Sequence, residues 1–249
     1  MQIIAVINQK GGVGKTTTAL NLAHALALKK YKVTLLDLDP QSHLSACLGV
    51  HDPKTKGIDS VLLEQQPIQD NVLTIRDNLQ LVTAGPALGE VEHATNDIPR
   101  DRLHKLLTDQ FQDQACVIID CPPSSGLLVV NALVAAQTAL IPVASDYLAL
   151  HGLSHLLGTF KNFESALNKK IPYWIVLTRY QSRRKLSLDV QDKLKHYFPG
   201  RILVTPIRES VALAESPSFG KTIFEYKPSS IGARDYRSLA QDLLNRRTL

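Results

Sequence analysis

The chain has 249 residues, of which 44% are hydrophobic and 20% are charged, with a formal net charge of +5. This is the composition of a globular chain, and the sequence has no apolar run of the roughly 18 residues that would span a bilayer. The cysteines Cys47, Cys116 and Cys121 lack zinc-like spacing and give an odd count, which favours a reducing, cytoplasmic environment over a disulfide scaffold.

Short apolar segments rich in Val and Ile alternate with segments of helical length. In chain order the pattern predicts a strand at 3–7, a helix at 16–28, strands at 33–38 and 79–83, a helix at 100–111, strands at 117–120 and 139–143, a helix at 149–167, a strand at 174–177, a helix at 186–197, a strand at 202–204 and a helix at 233–244. This alternation predicts an α/β fold with a mostly parallel, doubly wound sheet covered by helices on both faces. We expect residues 1–249 to form a single domain. No helix-turn-helix module is expected before the first strand.

A glycine-rich loop follows the first predicted strand and precedes the first predicted helix. Its glycines allow backbone N–H groups to turn towards an anion, and the helix N-terminus adds to this cradle. In such a P-loop, Lys15 would reach the β and γ phosphates of a nucleotide and the Thr16 hydroxyl would bind Mg²⁺. A glycine turn with chance lysines is the alternative that this context disfavours. The predicted nucleotide-binding residues of the loop are Gly11, Gly12, Val13, Gly14, Lys15, Thr16 and Thr17.

Carboxylates stand at the ends of two further predicted strands. Asp37 and Asp39 are two residues apart and should face the same side, and Asp120 ends the strand at 117–120. Because the carboxyl ends of parallel strands meet at one edge of a sheet, we expect these side chains beside the glycine loop. Either aspartate alone is more often a helix cap or a turn residue. Three such pieces in this order instead favour a nucleotide site, with Asp120 holding Mg²⁺, commonly through water.

The string KGGVGKTT at residues 10–17 closely resembles the deviant Walker A motif of the ParA/MinD family of P-loop ATPases, in which the extra lysine is a signature. DLDPQ at 37–41 and DCPPS at 120–124 are similar to the switch segments of that family. The resemblance covers almost the whole chain. It implies ATP and Mg²⁺ as cofactors, slow intrinsic ATP hydrolysis, and a homodimer in which Lys10 reaches the partner's phosphates and Asp39 positions water. The implied catalytic residues are Asp39, Lys10 and Lys15, and the implied metal site comprises Thr16, Asp39 and Asp120.

The second part of the chain is basic. Residues 151–249 contain 17 Lys and Arg against 8 Asp and Glu, whereas residues 1–150 contain 11 against 15. From charge alone, an anionic partner and a solvated basic face are about equally supported. ParA-like ATPases bind DNA non-specifically through basic residues in this half, and a basic helix start opposes the helix dipole, which favours a binding role. The candidate DNA-binding residues are Arg179, Arg183, Arg184, Lys185 and Arg208.

The end of the chain carries weaker similarities to the same family. Residues 207–221 resemble its closing segment, and Pro206 lies where the family places a loop beside adenine. Some relatives have an arginine where this chain has Ala212, and Arg208 is the residue that could compensate. Nitrogenase iron-protein relatives need cysteines to hold an iron–sulfur cluster, but we expect Cys116 and Cys121 to be small core residues.

Three classes of function follow from these patterns. The first is a nucleoid-associated positioning ATPase that segregates a plasmid, a chromosome locus or a protein assembly, with hydrolysis stimulated by a cargo-linked adaptor protein. The second is a MinD-type membrane regulator, although the apolar residues of the last predicted helix are better used to close the core, so we expect no membrane partner. The third is a metabolic phosphotransfer enzyme, which the presence of Lys10 disfavours.

Overall fold

The computed structural model describes residues 1–50, 55–92, 98–111, 113–146, 149–167 and 169–249. Its strands are β1 (Gln2–Val6), β2 (Val33–Asp37), β3 (Val72–Arg76), β4 (Leu79–Val82), β5 (Cys116–Asp120), β6 (Thr138–Ala144) and β7 (Tyr173–Thr178). Its α-helices are α1 (Lys15–Leu28), α2 (His43–Cys47), α3 (Ile58–Leu63), α4 (Leu88–Val91), α5 (Arg102–Gln110), α6 (Leu127–Ala135), α7 (Ala149–Leu167), α8 (Lys185–Tyr197), α9 (Val211–Glu215), α10 (Ile223–Tyr226) and α11 (Ile231–Asn245). Short 3₁₀ helices lie at Ile68–Asn71 and Ser216–Phe219.

The strands form one sheet in the spatial order β3-β4-β2-β5-β1-β6-β7. All neighbouring pairs are parallel except β3 with β4. The register places Val6 and Asp37 on either side of Asp120. The strand that leads into the P-loop and the two strands that end in carboxylates therefore all end at the same edge of the sheet. The expected doubly wound, mostly parallel α/β fold is therefore confirmed.

Helices cover both faces because the central strands are apolar on both. In β1, Ile3 and Ala5 enter one hydrophobic core, while Ile4 and Val6 enter the other, as the two-residue period of a strand requires. The first core is built with α3 to α8, and the second with α1, α2 and α9 to α11. The apolar residues of α11, such as Leu239 and Leu243, are buried in the second core. Among the described residues, no helix has both the length and the apolar character needed to cross a bilayer.

Some elements differ from the sequence predictions. The predicted strand at 202–204 is only a pair of isolated bridges, because Ile202 pairs with Ile175 whereas Leu203 turns to Thr248. The edge strand β3 and the helix α6 were not predicted. Residues 49–89, where the sequence pattern is least regular, contain α3, β3 and β4.

Candidate functional site

The P-loop joins β1 to α1 and is held from two neighbouring strands. Gly12 and Gly14 have φ angles of 72° and 86°, which are strained for any residue with a Cβ atom. The Asn8 amide donates to the carbonyl of Pro142 at 2.8 Å, and the Thr178 hydroxyl donates to the carbonyl of Val13 at 2.8 Å. In the described part of the chain no side chain caps the N-terminus of α1, so the first N–H groups of the helix remain available to an anion.

Lys15 begins α1 and is buried at the base of this loop. Its ammonium lies 3.5 Å from the carbonyl oxygen of Lys10, which is a weak contact. Burial lowers the pKa of Lys15, whereas the nearby carboxylates of Asp120 and Asp39 act to raise it. The ammonium therefore sits between the loop and the two carboxylates, where a phosphate group would complete its contacts.

The second lysine of the motif is engaged elsewhere. Lys10 Nζ lies 2.6 Å from Oδ2 of Asp146, a residue just beyond β6, and the two side chains are 33% and 45% exposed. The backbone N–H of Lys10 donates to the Asn8 side chain at 3.0 Å. The sequence predicted a function for Lys10 but gave no signal for its partner in the isolated chain.

Asp37 and Asp39 have different environments although they are two residues apart. Asp37 is fully buried, and its oxygens accept from the N–H of Asp39 at 3.1 Å and from the N–H and hydroxyl of Ser45 at 3.3 and 3.2 Å. Burial raises the pKa of Asp37 to about 7, against the effect of these hydrogen bonds. Asp39 accepts from the N–H of Gln41 at 3.0 Å and lines the cleft above the P-loop. Asp37 therefore braces the start of α2, whereas Asp39 is available to a ligand.

Asp120 is a buried carboxylate without a hydrogen-bond partner among the described residues, and this is true of both its oxygens. Burial raises its pKa well above the ordinary range, and Asp37 adds to the increase. The Thr16 hydroxyl approaches the carboxylate without completing a well-formed hydrogen bond, and together with Lys15 it offsets part of that increase. Such an orphaned carboxylate next to a hydroxyl suits a hydrated Mg²⁺ ion.

The donor set also suits a metal that arrives with phosphate. No group of three or more His, Cys, Asp or Glu in the described part of the chain is arranged to hold a metal ion by itself. Mg²⁺ usually uses one or two protein oxygens and completes its shell with water and substrate phosphates. Thr16, Asp120 and Asp39 are the side chains here that could supply such oxygens.

Two connected cavities meet at the P-loop and share Gly12, Gly14 and Thr17. The phosphate-side cleft, of about 740 Å³, is lined by Gly11, Gly12, Gly14, Lys15, Thr16, Thr17, Asp39, Gln41, His43, Ala46, Cys47, Pro123, Pro217, Ser218 and Gly220. The base-side cavity, of about 280 Å³, is lined by Gly12, Val13, Gly14, Thr17, Thr178, Arg179, Ile207, Arg208, Glu209, Ser210, Leu213, Ala214 and Tyr236. Lys10 and Asp120 line neither.

The lining of the base-side cavity bears on Pro206, whose place beside adenine stays a prediction. Pro206 does not line this cavity, whereas Ile207 and the three residues after it do. Leu213 and Tyr236 supply apolar surface from α9 and α11. No local pattern points to Tyr236, because this residue reaches the P-loop through the packing of α11 on α1, where its hydroxyl lies 3.2 Å from that of Thr18.

The predicted basic residues divide into two groups. Arg183, Arg184 and Lys185 are exposed at the start of α8, without an ion pair among the described residues. Arg179 and Arg208 instead line the base-side cavity. Arg179 pairs with Glu209 at 3.6 Å, and the Arg208 guanidinium is hydrogen-bonded to the buried carboxylate of Asp235.

Arg208, the residue that could compensate for the arginine that some relatives have at the position of Ala212, is paired with Asp235, and its role in DNA binding stays a prediction. Ala212 itself lies on α9 and is buried in the second core. Among the five candidates, the cations without an ion pair in the described part of the chain lie at the start of α8, and Arg179 is exposed beside Glu209. Their role in DNA binding stays a prediction.

Comparisons with known proteins agree with the family resemblance found in the sequence. The profile of a family described as an AAA domain matches residues 1–173. The chain is 40% identical to the chromosome partitioning protein ParA of Myxococcus xanthus, over 99% of this chain and 89% of that protein. It is 39% identical to the chromosome-partitioning ATPase Soj of Thermus thermophilus, over 98% and 95%. Among solved structures, cobyrinic acid a,c-diamide synthase of Mycobacterium smegmatis with bound ADP and magnesium has a TM-score of 0.85 and 30% identity, covering 98% of this chain and 94% of that one.

Proposed function

Because this chain belongs to the ParA family of P-loop ATPases and hydrolyses ATP with Mg²⁺ as cofactor, we propose that it is a nucleotide-dependent positioning switch. In this proposal, ATP closes two copies into a sandwich dimer that binds DNA without sequence specificity in the nucleoid. A cargo-linked adaptor then stimulates hydrolysis and releases the dimer. The cargo is a plasmid, a chromosome locus or a protein assembly.

The proposed chemistry follows the positions of the side chains at the sheet edge. The N–H groups of the P-loop and the Lys15 ammonium bind the β and γ phosphates. Thr16 and Asp120 hold Mg²⁺, with Asp39 beside them, and the bound ion supplies charge neutralisation on the phosphate oxygens. Asp39, which lines the cleft, orients the attacking water in line with the γ phosphate. We further propose that residues 1–249 act as one domain, since the described elements share a single sheet.

The observation that carries the dimer proposal is the position of Lys10. Its ammonium is bound to Asp146 and lines neither cavity of its own chain, so it does not complete the phosphate cradle in cis. Because both partners are partly exposed, solvent screens this pair, and its contribution to stability is small. A triphosphate on a second copy, which carries several negative charges, would compete for Lys10 against a single carboxylate.

The dimer proposal predicts that Lys10→Ala blocks ATP-dependent dimerisation and leaves nucleotide binding by the monomer largely intact. The measurement is analytical ultracentrifugation with a non-hydrolysable ATP analogue and Mg²⁺, alongside a nucleotide titration. Asp146→Asn is the matched variant, because it weakens the contact in cis while keeping Lys10, and should dimerise at an equal or lower protein concentration. A wild-type chain that stays monomeric under these conditions would refute the dimer.

The DNA proposal predicts a specific salt dependence. Replacing Arg183 and Arg184 together by Gln should weaken binding to non-specific duplex DNA in the ATP state. It should also reduce the slope of log affinity against log salt by about 3.6 for the dimer, because four arginines are lost and each lost phosphate contact removes roughly 0.9. ATP binding should not change. The control replaces Lys56 and Lys105 by Gln, which removes the same number of positive charges. These two lysines pair with Glu64 and Asp101, away from the start of α8. An equal effect of both pairs would attribute the binding to net charge alone, and equal binding with ATP and ADP would eliminate the switch.

The MinD-type and metabolic alternatives are supported less well. A membrane regulator needs an apolar face that can enter a bilayer, and the apolar residues of α11 are packed in the core. Flotation with anionic liposomes in ATP tests this function directly. A metabolic enzyme would couple ATP cleavage to a small acceptor, so hydrolysis by the purified chain without any acceptor separates it from the proposed switch.

A further inference from the structure

Arg76 is distant in sequence from every motif of the nucleotide site but contacts one wall of the phosphate-side cleft. It ends the edge strand β3, and its side chain is only 21% exposed. Its Nε donates to Oε1 of Glu225 at 2.9 Å, and its Nη2 donates to Oε2 of Glu225 at 3.3 Å and to the carbonyl of Gly220 at 3.1 Å. One planar guanidinium thus joins a carboxylate and a backbone carbonyl in a fixed geometry.

The Glu225 end of this contact is anchored to the P-loop helix. Glu225 accepts from the N–H and hydroxyl of Thr222 at 2.9 and 3.0 Å. The first of these bonds, together with the Glu225 N–H donating to the Thr222 side chain, forms the capping box of α10. The buried Thr222 hydroxyl lies 2.6 Å from Nδ1 of His24 on α1. Asn21, also on α1, accepts from the N–H of Ile223 at 2.9 Å. Arg76 is therefore bound to α10, which is itself hydrogen-bonded to α1, the helix that follows the P-loop.

The Gly220 end of the contact belongs to the turn at residues 217–220, which lines the phosphate-side cleft. Gly220 has a φ of 62°, and a Cβ atom placed on it would lie 3.1 Å from the Cα of Gly49. Gly49 follows α2, and α2 is bound through Ser45 to Asp37. The 217–220 turn thus packs backbone to backbone against Gly49, which ends the segment 38–49 that carries Asp39 and α2. We call residues 38–49 the Asp39 segment.

We propose that Arg76 is a positioning residue for ATP hydrolysis. Arg76 fixes the 217–220 turn relative to α1. Because this turn contacts Gly49, its position sets the distance between the P-loop and the Asp39 segment. Phosphoryl transfer depends mainly on positioning, so a displacement of well under 1 Å at this wall changes the rate more than the affinity. The inference rests on the proposed assignment of the phosphate-side cleft to ATP.

The test compares Arg76→Gln and Arg76→Lys with the wild-type full-length chain in steady-state ATP hydrolysis and in ADP titration. We expect kcat to fall about tenfold in Arg76→Gln while the Kd for ADP changes less than about threefold, because the phosphate contacts come from the P-loop. Arg76→Lys should recover only part of kcat, since one ammonium cannot hold both Glu225 oxygens and the Gly220 carbonyl. Lys56→Gln, which removes the exposed Lys56–Glu64 pair at 2.8 Å, is the matched control and should keep wild-type kcat.

A kcat of Arg76→Gln within twofold of wild type would overturn the inference, as would full recovery in Arg76→Lys. A rise in the Kd for ADP as large as the fall in kcat would show that Arg76 acts on the structure of the whole site. This result would also overturn the inference. If Arg76→Gln fails to fold, Gly220→Ala tests the same contact from the other side, because its Cβ would press on Gly49, and the same selective loss of kcat is expected. Lys15→Ala in the same assay separates the two proposals: hydrolysis that survives it refutes the cleft assignment, whereas its loss beside an unaffected Arg76→Gln refutes only the role of Arg76.

Discussion

Lys15→Ala is expected to lower nucleotide affinity by about 100-fold and to abolish measurable ATP hydrolysis. The substitution removes a buried ammonium that lies between the phosphate cradle and the carboxylates of Asp120 and Asp39. A triphosphate entering this site would then meet two carboxylates without the compensating cation. The measurement is isothermal titration of ATP and ADP in the presence of Mg²⁺, together with phosphate release.

The control for Lys15 lies at the other end of the same helix. Lys29→Ala removes one positive charge from the C-cap of α1, where the Lys29 Nζ donates to the Gln241 side chain at 2.9 Å. Its nucleotide affinity should match that of the wild-type chain, which separates a local effect at the P-loop from a change in net charge. Normal ATP binding by Lys15→Ala would mean that the phosphates bind elsewhere.

Asp39→Ala is expected to slow ATP hydrolysis by about 100-fold while nucleotide binding persists. As a result, the ATP-bound dimer should accumulate rather than turn over. Asp39 lines the cleft, and its hydrogen bond to the N–H of Gln41 holds the loop that follows β2. Phosphate release and size-exclusion chromatography with ATP and Mg²⁺ measure the two effects on one sample.

Asp39→Asn separates the charge of this residue from its structural contact. An amide oxygen can still accept from the N–H of Gln41, so the loop geometry is preserved while the negative charge is lost. We expect the Asn variant to be nearly as slow as the Ala variant. If Asp39→Ala hydrolyses ATP at the wild-type rate, its proposed role in orienting water is wrong.

The local parts of the candidate site could be predicted from the sequence. Residues 11–17 form one continuous loop between a strand and a helix, so their identities and spacing specify the cradle without knowledge of distant contacts. Asp39 and Asp120 were predicted because apolar strands that end in carboxylates place them at the same sheet edge. The resemblance of residues 10–17 to the deviant Walker A motif identified the second lysine.

Other parts of the site depend on contacts between residues far apart in the chain. The family resemblance assigned the water-positioning role to Asp39 rather than Asp37, but only the structure shows that Asp37 braces the backbone through the N–H groups of Asp39 and Ser45. Arg208 looked like a free surface cation, but it is bound to Asp235 on α11.

The sequence by itself determined the fold class, the phosphate cradle and the carboxylates at the sheet edge, because each follows from residues within a few positions of one another. Only the tertiary structure decided the resting partner of Lys10, the walls of the base-side cavity and the contact of Arg76 with Gly220. These join residues separated by 136 positions for Lys10 and Asp146 and by 144 for Arg76 and Gly220. No periodicity or local spacing encodes which surface residue a long side chain meets, since that depends on how the helices and loops pack around the finished sheet.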